Sequence, residues 1–523
     1  MWTILVISID WAIRVAMVIT VLMRKRGSDA LAWLAVCLAF PVIGLFLYLL
    51  IGGNRLGRRR SRRYAEAVRE LGISVGPAGQ RCTAVVPKGR EDLARLGENL
   101  GELPTLGGNS AELIDEPTEY LNRIILDIDG AKSRVHALFY IFEDDRAGRE
   151  VGEALKRASA RGVKVRLLVD AVGSRPMLRR FAPELRAAGV EVRDMLPVTP
   201  FRRRLARIDL RNHRKIVIVD SAVAFTGSQN IVDPQAADSP REGFSGSRTT
   251  GGSAGPGNSG PGPGAGLRGS SGPSSPSNGS SGDRRARFRF RRARQQWDDL
   301  SVRLRGPIVA QAERVFLEDW YTTTGEVIDL QSASAELGQA GKIVAQVVPS
   351  GPTSPTHVFH KFILAALHDA NRSIELCTAY FVPDEAVILA LKIARARGVE
   401  VDLVVPSKSD QWMVALAARA HFEELLEAGI RVHEHRGLML HSKSLAIDDD
   451  LCVLGSGNID MRSFHLNFEV SLVVYGTEFN AALRRAHARY VRQSRALDRS
   501  EWSKRPAPVR LGERAVALLS PLL

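Results

Sequence analysis

Two clusters of the same polar residues stand at matched intervals in this chain of 523 residues. The first runs His213-Arg-Lys215, then Asp220, then Gly227-Ser228-Gln-Asn230; the second runs His441-Ser-Lys443, then Asp448, then Gly455-Ser456-Gly-Asn458. Seventeen positions separate histidine from asparagine in both. Two such matches at one offset leave coincidence negligible. An imidazole serves as nucleophile or proton carrier, while lysine, asparagine and serine supply hydrogen-bond donors. Brought face to face, the copies would surround one point with two imidazoles and two ammonium groups, with Ser228, Asn230, Ser456 and Asn458 as phosphate-binding groups. That donor set suits a phosphodiester, because a five-coordinate phosphorus gains negative charge that fixed donors stabilise. One of His213 and His441 would attack phosphorus in line; the other would protonate the leaving oxygen and later deprotonate the incoming hydroxyl. This chemistry requires neither metal nor cofactor. Asp220 and Asp448 are expected to brace the strand and its lysine.

The elements that must position these groups are also duplicated. Arg161-Gly-Val-Lys-Val-Arg-Leu-Leu-Val169 recurs as Arg397-Gly-Val-Glu-Val-Asp-Leu-Val-Val405, and Ala188-Gly-Val-Glu-Val192 as Ala428-Gly-Ile-Arg-Val432. Each string follows an alanine-rich helical pattern and then alternates like a strand. Strands alternating with helices predict two α/β halves, each a mostly parallel, helix-covered sheet. Period-two alternation predicts that His213 and Lys215 project from one face of a strand continuing through Ile216 to Val219.

Imidazoles in these roles need carboxylates to fix tautomer and orientation. Glu469, in Glu469-Val-Ser-Leu472, stands 28 positions after His441; a similar string, Asp299-Leu-Ser-Val302, stands 86 positions after His213. The difference, 58 positions, matches an insertion at about 237–294. Its centre, Gly251 to Gly282, is almost wholly Gly, Ser and Pro with Leu267 as the one large apolar side chain, a composition that forms no packed core. Asp299 is thereby matched to Glu469 as a histidine-orienting carboxylate.

Leu31 to Ile51 are twenty-one consecutive uncharged positions, the length of a membrane-spanning helix. Met1 to Met23 is nearly as apolar but holds Asp10 and Arg14, four apart, where they can pair. Residues 1–54 therefore predict a transmembrane hairpin of two spans, 55–108 a basic connector, 109–325 the first half with its insertion, and 340–523 the second half. The formal charge is +15, of which six arginines between Arg55 and Arg63 and seven between Arg284 and Arg294 supply thirteen. A further cluster, Arg202, Arg203, Arg204, Arg207 and Arg211, precedes the first motif. Six positive charges after the second span against Arg24, Lys25 and Arg26 in the turn predict cytoplasmic catalytic halves. The basic balance suits an anionic partner, either nucleic acid or acidic lipid. Tethering to a membrane favours lipid, so no nucleic acid is expected. Four cysteines without paired spacing argue against a disulfide framework or zinc cluster. No feature of the sequence fixes an oligomeric state.

The duplicated motif resembles the signature of the phospholipase D superfamily, and the chain looks more narrowly like its bacterial cardiolipin synthases. The strings that carry the closer resemblance are Ala224-Phe-Thr-Gly-Ser-Gln-Asn230, Phe316-Leu-Glu-Asp-Trp320, Val348-Pro-Ser-Gly351, Tyr380-Phe-Val-Pro-Asp384, Gly457-Asn-Ile-Asp-Met-Arg-Ser-Phe464 and Asn467-Phe-Glu469. The resemblance implies a multi-pass cell-membrane enzyme that makes cardiolipin from two molecules of phosphatidylglycerol with release of glycerol. It implies a phosphatidyl-histidine intermediate on His213 with His441 as acid and base, though the residues themselves do not distinguish the two. Anionic membrane lipids are its implied partners. Hydrolysis of phospholipid with water as acceptor, and phosphodiester cleavage in nucleic acid, use the same motif and stand as the alternatives.

Overall fold

Each repeated Arg-Gly-Val string closes a helix and opens a strand. In the computed structural model, which describes residues 2–24, 27–52, 58–72, 84–197, 209–234, 297–328, 338–352 and 357–520, helix Arg146–Ala160 leads to strand Lys164–Asp170, and helix Glu385–Ala396 to strand Glu400–Pro406. Gly162 and Gly398 turn the chain between them at φ of +88° and +90°, a left-handed conformation that costs glycine no Cβ clash. The first helix buries Val151, Ala154, Leu155 and Ala158, the stripe that its 3.6-residue period places on one face.

One sheet runs through both halves. From one edge, Glu191–Met195, Lys164–Asp170 and Arg134–Phe139 pair in parallel, as their helical crossovers require. The strands that follow pair antiparallel: Ile216–Val219, Val223–Gly227, Ser301–Arg305 and Leu106–Ile114. Leu106–Ile114 then meets Ile343–Ser350, and the order repeats in reverse through Glu469–Tyr475, Leu451–Gly455, Ser444–Ile447 and Ser373–Cys377 to the parallel pair Glu400–Pro406 and Arg431–His435. Within this sheet parallel pairing is confined to the helix-linked strands, and the strands that follow the motifs sit in antiparallel hairpins. The halves are related by an approximate twofold relation centred between Leu106–Ile114 and Ile343–Ser350. Helix Ile308–Thr324 of the first half packs on strand Ile343–Ser350 of the second, and helix Thr477–Arg492 of the second packs on strand Leu106–Ile114 of the first.

The strands of the motif hairpins are buried along their whole length. His213 to Lys215 and His441 to Lys443 do not lie within the strands, as the alternation predicted, but in the extended segments just before them. There the backbone pairs with the opposite half instead of with the sheet. Asp220 and Asp448 occupy the hairpin turns at φ of 51° and 49°. Asp220 accepts the backbone N–H groups of Lys132, Ser133 and Arg134, and Asp448 those of Asn371, Arg372 and Ser373. Each brace therefore holds the neighbouring strand at the end remote from the motif lysine, which it was expected to support directly. Asp448 also receives Arg90 Nη2 at 2.7 Å, fixing the connector to the second half.

At the N-terminus, α1 (Trp2–Arg24) is the one helix among the described residues long and apolar enough to cross a membrane. The predicted second span is not a single helix. It divides into α2 (Gly27–Ala39) and α3 (Pro41–Ile51), because Pro41 has no N–H and its ring crowds the preceding turn. The two pieces fold back on each other. The rings of Trp33 and Tyr48 meet edge to face with centroids 5.1 Å apart, and a Cβ on Gly44 would stand 2.7 Å from Cys37 Cα. In a straight helix, Trp33 and Tyr48 would be separated by about 22 Å along the axis. The next helix, α4 (Arg58–Gly72), packs against Ile308–Thr324, with Tyr64 Oη donating to Glu318 at 3.4 Å. The expected insertion at 237–294, with its arginines 284 to 294, and the arginines 202, 203, 204 and 207 lie outside the described residues.

Candidate active site

Both motif histidines are held by the half to which they do not belong. His213 donates its backbone N–H to Phe468 O at 2.9 Å, and His441 donates to Asp298 O at 2.8 Å. These two bonds carry each motif across the seam before its strand begins.

The imidazoles cross in the same way. His213 Nδ1 lies 2.8 Å from Ser456 O and 3.1 Å from Glu469 Oε2, both of the second half. Both partners are acceptors, so Nδ1 carries the proton and the Nε2 lone pair is left for chemistry. His441 Nδ1 lies 2.7 Å from Asp299 Oδ1 of the first half. The structure thus brings His213, Lys215, His441, Lys443, Glu469 and Asp299 into one cluster.

The Gly-Ser steps explain how the carboxylates arrive. Gly227 pairs with Ser301, and Gly455 with Ser471, at equivalent places in the two sheets. A Cβ at either glycine would come within 2.4 Å of Leu300 O or 2.1 Å of Val470 O, so only glycine permits this approach. The serine that follows holds the carboxylate. Ser228 Oγ donates to Asp299 Oδ1 at 2.6 Å and accepts from Leu300 N, while Ser456 Oγ donates to Glu469 and accepts from Val470 N. The serines were expected at the phosphate; in the structure their hydroxyls orient the groups that orient the histidines. Asn230 Oδ1 accepts from Ile141 N at 3.1 Å, and its buried Nδ2 has no protein partner among the described residues. Asn458 donates its backbone N–H to Ser463 Oγ and leaves its buried Oδ1 similarly unpartnered.

Burial dominates the electrostatics. It pushes His213 down to about 4 despite the nearby Glu469, and it also lowers His441, which Asp299 partly offsets. Lys215 is brought down to about 7 by burial and by Lys443, and Lys443 to about 8 chiefly by burial, with Asp299 and Glu469 opposing. Burial works against ionised carboxylates too, yet His213, Lys215 and the Ser456 hydroxyl outweigh it and hold Glu469 at about 2; His441 does the same for Asp299, which is also lowered. The influence of Lys443 on His213, and of Lys215 on His441, shows that the two motifs share one electrostatic site. With both imidazoles neutral and both lysines protonated, two ammonium groups and two carboxylates cancel. A bound phosphodiester monoanion would then be balanced by one proton on an imidazole, the state a general acid needs.

Several groups here were not singled out from sequence. Arg214, between the motif histidine and lysine, is fully buried and bonds Asp319 Oδ2 at 2.9 Å, Glu469 O at 3.0 Å and Ser350 O at 3.0 Å. It joins the halves directly beneath the site, and Ser442 in the second copy has no such role. Ser463 Oγ and Asn467 Nδ2 donate to Glu469 Oε1 at 3.1 and 3.2 Å, so the carboxylate is held at both oxygens. Tyr140 meets His213 with ring centroids 4.9 Å apart, and Trp297 stacks on His441 at 4.4 Å. Asp319, Ser463 and Asn467 lie inside the strings noted above, where adjacency to Glu469 was the available signal for Asn467. No spacing in the sequence points to Tyr140 or Trp297.

Comparison with known proteins gives consistent matches. The family described as "Cardiolipin synthase, PLD-like domain" matches residues 124–242 and 363–490, and that described as "Phospholipase_D-nuclease N-terminal" matches residues 12–53. A protein named cardiolipin synthase A from Yersinia pseudotuberculosis (strain IP 31758) is 32% identical over 98% of this chain and 97% of its own length. The cardiolipin synthase A of Yersinia pestis matches with the same identity and coverage. Among solved structures, phosphatidylserine synthase from Haemophilus influenzae superposes with a TM-score of 0.55 at 14% identity, covering 82% of this chain and 99% of that one, a likeness of fold.

Proposed function

This chain belongs to the bacterial cardiolipin synthases of the phospholipase D superfamily, phosphatidyltransferases of phospholipid metabolism, and from that premise we propose that it joins two molecules of phosphatidylglycerol at a membrane surface, with His213 as nucleophile. The observation that carries the proposal is the crossed pair of hydrogen bonds, Glu469 to His213 and Asp299 to His441. Each imidazole has Nδ1 engaged and Nε2 available, which is what attack on phosphorus and proton transfer require.

In the first step His213 Nε2 attacks the phosphorus of the donor lipid. The P–O bond to glycerol breaks, and protonated His441 gives its Nε2 proton to the departing glycerol oxygen. Phosphatidyl-His213 and glycerol result. In the second step a glycerol hydroxyl of another phosphatidylglycerol attacks the same phosphorus, His441 takes its proton, and the P–N bond breaks to restore His213. Lys215 and Lys443 stabilise the charge that builds on the phosphoryl oxygens in both steps. Burial keeps His213 unprotonated at neutral pH and thus nucleophilic. Asn230, whose amide donor has no partner among the described residues, and Asn458 would share this charge. Asp220 and Asp448 contribute by holding the sheet. The halves act from the cytoplasmic face of the cell membrane.

The test is incubation of the purified full-length protein with phosphatidylglycerol alone. One cardiolipin and one glycerol for every two lipids consumed are expected. Phosphatidic acid without cardiolipin would instead make the protein a hydrolase, and cleavage of DNA without lipid turnover would overturn the lipid assignment.

A further inference from the structure

We propose that the N-terminal region crosses the membrane once, through α1, and that α2 and α3 form a re-entrant hairpin that enters and leaves on the catalytic side. This inference is independent of the identity of the lipid substrate. The lengths are the first support. At 1.5 Å per residue, α1 with 23 residues extends about 34 Å, enough for a hydrocarbon core of about 30 Å, whereas α2 with 13 and α3 with 11 extend only about 20 and 16 Å.

The contacts are the second. Trp33 against Tyr48, and Gly44 against Cys37, are side-by-side contacts that only antiparallel pieces can make. The small core of Met17, Val21, Ala30, Trp33, Cys37 and Tyr48 draws on all three helices, so α1 supplies a wall for the hairpin.

The third is the fate of the polar groups at the tip. A helix broken within hydrocarbon leaves carbonyls that must find donors in the protein. Arg14, near the middle of α1, donates Nη1 to Leu38 O at the end of α2, while its Nε donates to Asp10 Oδ2 at 2.7 Å. The ion pair noted in the sequence is therefore placed where the hairpin turns. The tip then lies at the depth of the middle of α1, which is the reach of a half-length helix.

Charge supplies the fourth. No Lys or Arg precedes Arg14, whereas Arg24, Lys25, Arg26 and the six arginines from 55 to 63 all follow α1. In a two-span hairpin the first three of those charges would face away from the other six. A re-entrant hairpin puts all nine on one face, the arrangement favoured for cytoplasmic segments.

The experiment labels single cysteines in the full-length protein with a membrane-impermeant maleimide. Cys82 is replaced by Ser, since Cys37, Cys377 and Cys452 are buried. Thr3→Cys should react in intact cells, and Ser28→Cys and Ser61→Cys only in inverted vesicles. Labelling of Thr3→Cys and Ser61→Cys from one side and Ser28→Cys from the other would establish two full crossings and overturn the proposal. An epitope tag ahead of Thr3, digested by protease added to intact cells, gives the same readout without cysteine substitutions. Trp33→Cys/Tyr48→Cys, with Cys37 also replaced by Ala, should be joined intramolecularly by a short bismaleimide reagent in membranes, since the two rings are in contact. A straight helix would hold the two positions about 22 Å apart, beyond the span of such a reagent, and failure of that cross-link would also refute the fold-back.

Discussion

Glu469, the first residue of a strand in the second half, lies 3.1 Å from the Nδ1 of His213 in the first half. Its carboxylate also receives Ser456, Ser463 and Asn467, so four donors fix its position. Glu469→Gln would keep the shape but remove the charge that supports Nδ1–H and the correct tautomer. We expect kcat to fall roughly 10²- to 10⁴-fold with little change in KM. Steady-state kinetics on mixed micelles checks this, and an unchanged kcat would remove Glu469 from the mechanism.

The division of labour between the histidines predicts separable defects. His213→Ala and His441→Ala should each reduce cardiolipin formation by about 10⁴-fold or more. A donor lipid with a p-nitrophenol leaving group needs no acid in the first step. With it, His441→Ala should accumulate a covalent phosphatidyl adduct on His213, detectable by intact-protein mass spectrometry, and His213→Ala should accumulate none. An adduct found on His441 would reverse the two roles.

The crossing itself was not legible in the sequence, although its parts were. A duplication shows which residues are equivalent, so Asp299 could be matched to Glu469 across the inserted 58 positions. Equivalence leaves open whether each carboxylate serves its own histidine or the other. That is decided by packing at the seam, where Phe468 O and Asp298 O hold the opposite motifs. The second apolar run departs from a single straight helix for a related reason. Hydropathy counts residues and is blind to direction, so twenty-one uncharged positions look alike whether straight or folded at Pro41. The small Gly44 and the Trp33–Tyr48 pair, which make the fold-back possible, count only as apolar. The four-residue core strands and the helix-linked repeats were legible because period and glycine position report backbone geometry directly.

Anion binding should be coupled to protonation. In the empty site Lys215 and Lys443 sit at about 7 and 8, well below the ordinary lysine value, because their charges are buried. A bound phosphodiester stabilises the charged forms and raises both, so binding takes up protons as the pH rises through the range of about 7 to 8 where the free lysines lose theirs. Affinity for a soluble headgroup such as glycerophosphoglycerol should therefore fall as pH rises through this range. Titration calorimetry in two buffers of different ionisation enthalpy reads the proton count. Release of protons on binding, or affinity independent of pH, would contradict this electrostatic account.

Arg214 tests what joins the halves beneath the site. Its guanidinium is fully buried and reaches a carboxylate, Asp319, and two carbonyls on strands of the second half. Arg214→Met fills much of the same volume but strands the Asp319 charge, and removal of one partner of a buried pair costs about 3–5 kcal/mol. Asp319 is already raised by burial and depends on Arg214 and Asn212 to stay ionised. Adding Asp319→Asn to Arg214→Met removes the stranded charge, so the double variant should be more stable than Arg214→Met alone. Catalysis should not return fully with it, because Glu469 has lost the Arg214 anchor on its own carbonyl, the support beneath the side chain that orients His213. Thermal unfolding and kcat measured on the same three preparations separate the two effects. Full recovery of activity in the double variant would show that Arg214 supports stability without positioning Glu469.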